Sequence, residues 1–310
     1  MKVTEHIKNA TRPLISFEIT PPDGGTLDDA MKKISRLVPY NPPFIDVTYH
    51  PVEQVHEDTP EGIERIIIRK YAGTRTICAS MQREHKLDSV PHILCRGFTW
   101  NETRDLLNET RFDQVANILV IQGDEKGYER PLEPGAETFE HPSNLIPKIR
   151  KTFGDYFCIG VAGYPEKHMA APNLRTDIEF LKLKVDSGAD YIVTQMFYDN
   201  DSYFRFVDLC RKARINAPII PGITVLSKKK HLTDHPENFK IDIPYPLSSR
   251  IYGASEEDVA KFGIEWATNQ TEELIRNNVP ATHFYVFSGI KPALKVIDNL
   301  GLDKKLTSPS

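Results

Sequence analysis

The feature that most constrains this chain is a rhythm. Short apolar runs recur from end to end, at residues 15–19, 44–48, 90–95, 117–122, 158–162, 191–195, 219–222 and 284–287. Runs of this kind read as parallel strands covered on both faces. Helical spacing falls between them. Leu27, Ala30, Met31, Ile34 and Leu37 line one face at 27–37, and further helices are predicted at 61–71, 174–187, 203–213, 256–277 and 292–300. Thr99 with Glu102 three residues on forms a capping box for another, and Gly188 closes the helix at 174–187. Eight strands alternating with about as many helices predict an α/β fold, a (β/α)8 TIM barrel. A single domain over 1–310 suits that fold, which takes ~250 residues and tolerates insertions. The competing arrangement, an open doubly wound sheet, calls for GxGxxG after its first strand, and none stands there. Two stretches read as insertions: 74–87, with a β-like run at 76–81, and a Lys- and Pro-rich loop at 228–250.

Composition narrows the partners. A net charge of −4 gives no basic footprint for nucleic acid. No apolar run is long enough to span a membrane, and the first residues hold no signal-peptide core. Cys78, Cys95, Cys158 and Cys210 are widely spaced, with no CxxC pair, and read as buried thiols of a reducing compartment. A cytoplasmic protein is expected.

Function is written at the strand ends. Ser16-Phe17-Glu18-Ile19-Thr20-Pro21-Pro22 places a carboxylate inside an apolar strand. Such an acid is costly unless it is paired, solvated or kept protonated. Two readings stand: a Glu paired with Arg or Lys, or a general acid at a barrel mouth. Catalytic groups of these barrels come from the C-terminal ends of several strands. Here those ends carry Thr48, Tyr49 and His50, then His92, then Gln122-Gly123-Asp124, then Tyr164-Pro165-Glu166-Lys167-His168, then Thr194-Gln195. Each alone is satisfied by a turn, a cap or a core histidine; together on one face they point to a site.

Several ordered motifs carry a resemblance. Ser16-Phe17-Glu18 with Pro21-Pro22, Val47-Thr48-Tyr49, Pro91-His92, Gly123-Asp124, Tyr164-Pro165-Glu166-x-His168, Lys184-Val185-Asp186-x-Gly188-Ala189, Thr194-Gln195 and Pro221-Gly222-Ile223 occur in this order over nearly the whole chain. The set resembles the methylenetetrahydrofolate reductase family. The resemblance implies an FAD-containing (β/α)8 barrel that reduces 5,10-methylenetetrahydrofolate with NADH or NADPH. It implies Glu18 as the general acid, with Asp124 near both flavin and pterin. It gives Gln195 to the substrate, and to the nicotinamide in its turn, hence ping-pong kinetics. Flavin contacts carry over to Thr48, Tyr49, His92, Gln122, Gly123, Asp124, Tyr164, His168, Asp177 and Lys184, with His141 as a further one. Asp177 would hold a ribose and Lys184 the pyrophosphate.

The chain also departs from the family pattern. Gln122 stands where an Arg is frequent, and Phe180 and Leu183 where polar or basic residues contact the FAD tail. Tyr285-Val286-Phe287-Ser288-Gly289 lacks the usual Asn and basic residue. The aromatic that stacks on the dinucleotide is expected within 224–239, with His235 and Phe239 as candidates. His231 and His235 stand four apart, a metal-pair spacing, but beside the run 228–230 of lysines, which opposes a cation. No metal is expected, and the lysines would attract an anionic folate tail. A homo-oligomer is expected, without the S-adenosylmethionine-sensing domain of larger relatives. A reductase fed by a partner protein, or a binding subunit without turnover, stays open as an alternative.

Overall fold

The computed structural model describes residues 1–49, 53–60, 62–68, 73–123, 132, 134–287 and 289–302, with the backbone alone at 53–58 and 64–68. In chain order the elements are α1 (Val3–Lys8), β1 (Ile15–Ile19), α2 (Leu27–Ser35), β2 (Phe44–Val47), β3 (Glu53–Thr59), β4 (Gly62–Ile68), α3 (Thr74–His85), β5 (Asp88–Leu94), α4 (Trp100–Phe112) and β6 (Asn117–Ile121). There follow α5 (Pro142–Phe153), β7 (Cys158–Gly163), α6 (Leu174–Asp186), β8 (Tyr191–Met196), α7 (Asn200–Lys212), β9 (Ile219–Ile223), α8 (His231–Phe239), α9 (Tyr245–Tyr252), α10 (Glu256–Arg276), β10 (Thr282–Tyr285) and α11 (Lys291–Asn299). Eight strands close a parallel barrel in the order β1-β10-β9-β8-β7-β6-β5-β2, while β3 and β4 form a separate antiparallel hairpin.

The barrel places its residues by alternation. Ile15, Phe17 and Ile19 of β1 belong to the large core between strands and helices, as do Ile45 and Val47 of β2, Ile93 of β5 and Phe284 of β10. A strand sends successive side chains to opposite faces. The intervening residues Ser16 and Glu18, Phe44 and Asp46, His92, and His283 and Tyr285 therefore point into the barrel. Its lower interior is an apolar layer of Phe44, Val90, Leu119, Cys158, Tyr191, Val193 and Ile220, joined by Val3 of α1. That helix lies across the N-terminal strand ends: the Val3 amide donates to Asn117 Oδ1 at 2.9 Å, and His6 Nε2 meets Asp88 Oδ2 at 2.7 Å.

The helix ends follow local chemistry. Thr99 Oγ1 accepts from the Glu102 amide at 3.3 Å and the Glu102 carboxylate accepts from the Thr99 amide at 2.8 Å, which is the expected capping box. Gly188, in the left-handed region at φ +113°, ends the chain segment of α6. All four cysteines are buried and unbridged.

Four expectations are corrected. Where a helix is expected at 61–71, the described residues 62–68 are β4 of the hairpin; their Ile-rich sequence is β-branched, which favours extended backbone. The helix that follows β2 in the barrel is α3, which absorbs the β-like run at 76–81 and buries Ile77, Cys78 and Met81. The loop at 228–250 folds into α8 and α9. The last strand begins two residues early, because Thr282 and His283 pair with Ile15 and Ser16 although neither is apolar. Helices α1 and α5 had no counterpart in the sequence reading.

Candidate active site

Glu18 sits near the C-terminal end of β1, in register with Asp46 on one side and Tyr285 on the other. Its side chain is 16% exposed. No Arg or Lys pairs with it among the described residues. Its neighbours are two imidazoles: His92 Nε2 at 3.5 Å and His283 Nε2 at 4.0 Å from Glu18 Oε2. Burial pushes the Glu18 carboxyl up to about 7; His92 draws it back a little, and Asp46 pushes it further. The same burial holds both imidazoles neutral, His92 below its ordinary value and His283 down to about 3. A carboxyl raised in this way, with two imidazoles and no Arg or Lys beside it among the described residues, does not form the Arg or Lys pair that one reading of Glu18 called for.

The wall that continues from β1 is built from β10, β9 and β8. Tyr285 Oη donates to the Thr194 carbonyl at 2.7 Å, and the Gly222 amide donates to Thr194 Oγ1 at 2.9 Å. Gly222 is required here. A Cβ would lie 2.5 Å from Tyr285 Cε2 and would also meet the Thr194 carbonyl oxygen. Gln195, next along β8, folds its Oε1 back onto the Met196 amide at 2.9 Å.

A second group gathers beyond the ends of β7 and along α6. Lys184 Nζ donates to the Ala162 carbonyl at 2.8 Å and lies 5.6 Å from the centre of the Tyr164 ring. Tyr164 meets the His168 ring edge-on at 4.6 Å, and Asp177 Oδ2 accepts from the His168 amide at 2.9 Å. Burial draws the Lys184 ammonium down to about 8, with Asp177 opposing it. FAD, the cofactor that the resemblance implies, calls for a cation at its pyrophosphate and a carboxylate at a ribose. Lys184 and Asp177 share one face of α6, and an anion beside Lys184 would relieve its burial. The residues present fit the group. Phe180 and Leu183, on the same helix, are 48% and 54% exposed.

The remaining predicted residues are less concentrated. Gln122 Nε2 lies 3.3 Å from His141 Nδ1, which joins the end of β6 to the start of α5. Gly123 has φ +88°. The Thr48 amide donates to Ile19 O at 3.1 Å, and the Tyr49 ring meets Phe98 edge-on at 5.4 Å. His92 is brought to Glu18. Asp124, His50 and Ser288 lie outside the described residues. His231 and His235 stack at 4.4 Å between ring centres, and His235 Nδ1 is taken by Tyr198 Oη at 2.6 Å. His235 and Phe239 both reach Phe287, with ring centres 5.8 Å away in each case.

Sequence reasoning missed Asp46 and His283, whose Nδ1 lies 2.8 Å from Ser16 Oγ. The signal for Asp46 was present: it is an acid inside the apolar run Phe44-Ile45-Asp46-Val47, as Glu18 is in its own strand.

The family model described as Methylenetetrahydrofolate reductase matches residues 2–301. The chain belongs to the methylenetetrahydrofolate reductase family. It is 31% identical to methylenetetrahydrofolate reductase (NADH) 1 of Arabidopsis thaliana, over 97% of this chain and 51% of that one. It is 28% identical to 5,10-methylenetetrahydrofolate reductase of Escherichia coli K12, over 93% of this chain and 90% of the other. A probable methylenetetrahydrofolate reductase (NADPH) of Caenorhabditis elegans is 27% identical. The chain thus spans about half the length of the first curated relatives it matches. Among solved structures, a Clostridium thermocellum protein described as binding two copies of 5-methyl-5,6,7,8-tetrahydrofolic acid superposes with a TM-score of 0.61. The two share 15% identity over 96% of this chain and 98% of that one. At that identity the likeness speaks for the barrel alone.

Proposed function

We propose that this barrel, over residues 1–310, reduces 5,10-methylenetetrahydrofolate to 5-methyltetrahydrofolate with FAD as cofactor and NADH or NADPH as electron source. The observation that carries this reading is Glu18, a barrel-mouth carboxyl held protonated to about pH 7 and unpaired with any Lys or Arg among the described residues. The methylene bridge of the folate is a poor hydride acceptor until N10 is protonated. The five-membered ring then opens to an N5 iminium. Glu18 is the group suited to give that proton, a step typically worth ~10²–10⁴-fold. FAD, when bound, supplies the hydride chemistry between nicotinamide and folate.

The chain's own residues position the partners. Lys184 takes the pyrophosphate and Asp177 a ribose. Thr48, Tyr49, His92, Gln122, Gly123, His141, Tyr164 and His168 complete the flavin contacts. Asp124 lends a negative charge near the flavin ring and pterin. Gln195 both donates and accepts, which suits an amide-rich pterin. Nicotinamide and folate would use this place in turn, giving ping-pong kinetics. The Phe239 and Phe287 rings, with the buried His235 beneath them, would offer a stacking surface for the nicotinamide donor. Assembly as a homo-oligomer is part of the proposal.

Anaerobic half-reactions test it. NADH or NADPH is expected to bleach the yellow protein, and methylenetetrahydrofolate to restore the colour. Glu18→Gln should keep the bleaching and slow the recovery by ~10²–10⁴-fold. Wild-type recovery in that variant would sink the assignment of the acid. If neither nicotinamide bleaches the protein, while chemically reduced protein is still reoxidised by the folate, the electrons come from a partner protein. Intersecting double-reciprocal lines would argue against ping-pong order.

A further inference from the structure

Asp46 is not used by the proposed chemistry, yet it stands in the middle of the site. It is fully buried, and neither of its carboxyl oxygens has a hydrogen-bond partner among the described residues. The groups that face it are Glu18 of β1, His92 of β5, Tyr191 of β8, Tyr285 of β10 and Cys78 of α3. None of these is a permanent cation. An ionised Asp46 would be a carboxylate with neither water nor donor, which is among the costliest states a side chain can adopt. Holding a proton removes that cost, and burial indeed pushes Asp46 well above the usual carboxylate range.

A protonated carboxyl needs an acceptor. The nearest ring nitrogen is His92 Nε2, 3.7 Å from Asp46 Oδ2 and 3.5 Å from Glu18 Oε2. That nitrogen is buried and has no hydrogen-bond partner among the described residues. The unprotonated nitrogen of a neutral imidazole has a single lone pair to offer. Two acids therefore compete for one acceptor. If Glu18 takes it, its proton points back into the barrel and away from a folate at the mouth. If Asp46 takes it, the Glu18 proton is left to the mouth.

Resting on the proposed reaction, we propose that Asp46 is a positioning residue: a permanently protonated acid that occupies the lone pair of His92 Nε2 and so leaves the Glu18 proton directed at the substrate. The role requires a hydrogen-bond donor at position 46 and no negative charge. An asparagine meets that requirement and an alanine does not.

The test has two parts, on the FAD-loaded full chain. In the folate half-reaction, Asp46→Asn should stay within about 3-fold of wild type, with its pH limb unmoved. Asp46→Ala should be slower on the order of 10- to 100-fold, the scale of a misplaced reacting group, with bleaching by NADH or NADPH kept. An Asn variant as slow as the Ala variant, with a displaced pH limb, would mean that Asp46 acts through its charge, and would overturn the proposal. The second part needs no folate. Infrared spectra at pH 8 of Glu18→Gln and of the double variant Glu18→Gln/Asp46→Asn should differ by one protonated-carboxyl band. Absence of that difference overturns the proposal even if the folate is reduced. If wild type reduces no folate but the band is present, the reading of function fails while the proton on Asp46 stands.

Discussion

A carboxyl held in a barrel interior ties folding to proton binding. Glu18 titrates near 4.5 in an unfolded chain and at about 7 in the folded one. Below 4.5 both states carry the proton; between those values only the folded state does. Stability from this group is therefore full at low pH and falls as pH rises through the window, by on the order of 3 kcal/mol in total. Glu18→Gln removes that dependence. Denaturant titrations should show the variant gaining on wild type between pH 5 and pH 8, and parallel curves across that range would contradict the raised value. The sequence reading found Glu18 because an acid is conspicuous in Phe17-Glu18-Ile19. It passed over Asp46, equally conspicuous in Ile45-Asp46-Val47, because the meaning of one depends on the other. Nothing in a linear chain says that positions 18 and 46 are partners in neighbouring strands. His283 was hidden for a related reason: polar residues turned into a barrel interrupt the apolar run by which a strand is recognised.

Among the elements, the strands were the legible part, since each is a short run with its own turn signals. All eight predicted strands agree with the observed bounds within two residues at either end, the last being shifted as a whole by its polar start. The exchange between the helix expected at 61–71 and the hairpin that stands there has a physical cause. Ile63, Ile66 and Ile67 have helical spacing, while their β-branching favours strand, and no local signal arbitrates. The true helix at Thr74–His85 begins with Thr-Arg-Thr-Ile, which resembles a strand until Met81 completes its buried stripe. Element packing also explains a glycine in the Pro221-Gly222-Ile223 motif. Gly222→Ala forces Tyr285 and the Thr194 carbonyl away from β9. It should cost about 1–3 kcal/mol, as overpacked cores do, and break the Tyr285–Thr194 hydrogen bond. A thermal melt within a degree of wild type would show that the barrel yields there without strain.

At the scale of the molecule, the barrel's two ends differ. At one end the strand termini present Glu18, Tyr285, Gln195 and the Lys184 group; at the other, α1 is seated on β5, β6 and β7 through His6, Val3 and Thr4. Val3 is fully buried. Val3→Asp would set a carboxylate against the apolar layer of Phe44, Val90 and Leu119, at a cost of several kcal/mol for an unpaired buried charge. Chemical denaturation should register that loss; an unchanged midpoint would mean that the helix is not part of the folded barrel. The seated helix has a further consequence for traffic. Among the described residues, α1 and the apolar layer of Phe44, Val90 and Leu119 fill the N-terminal end of the barrel, so a folate or a proton would come to Glu18 from the C-terminal end of the strands.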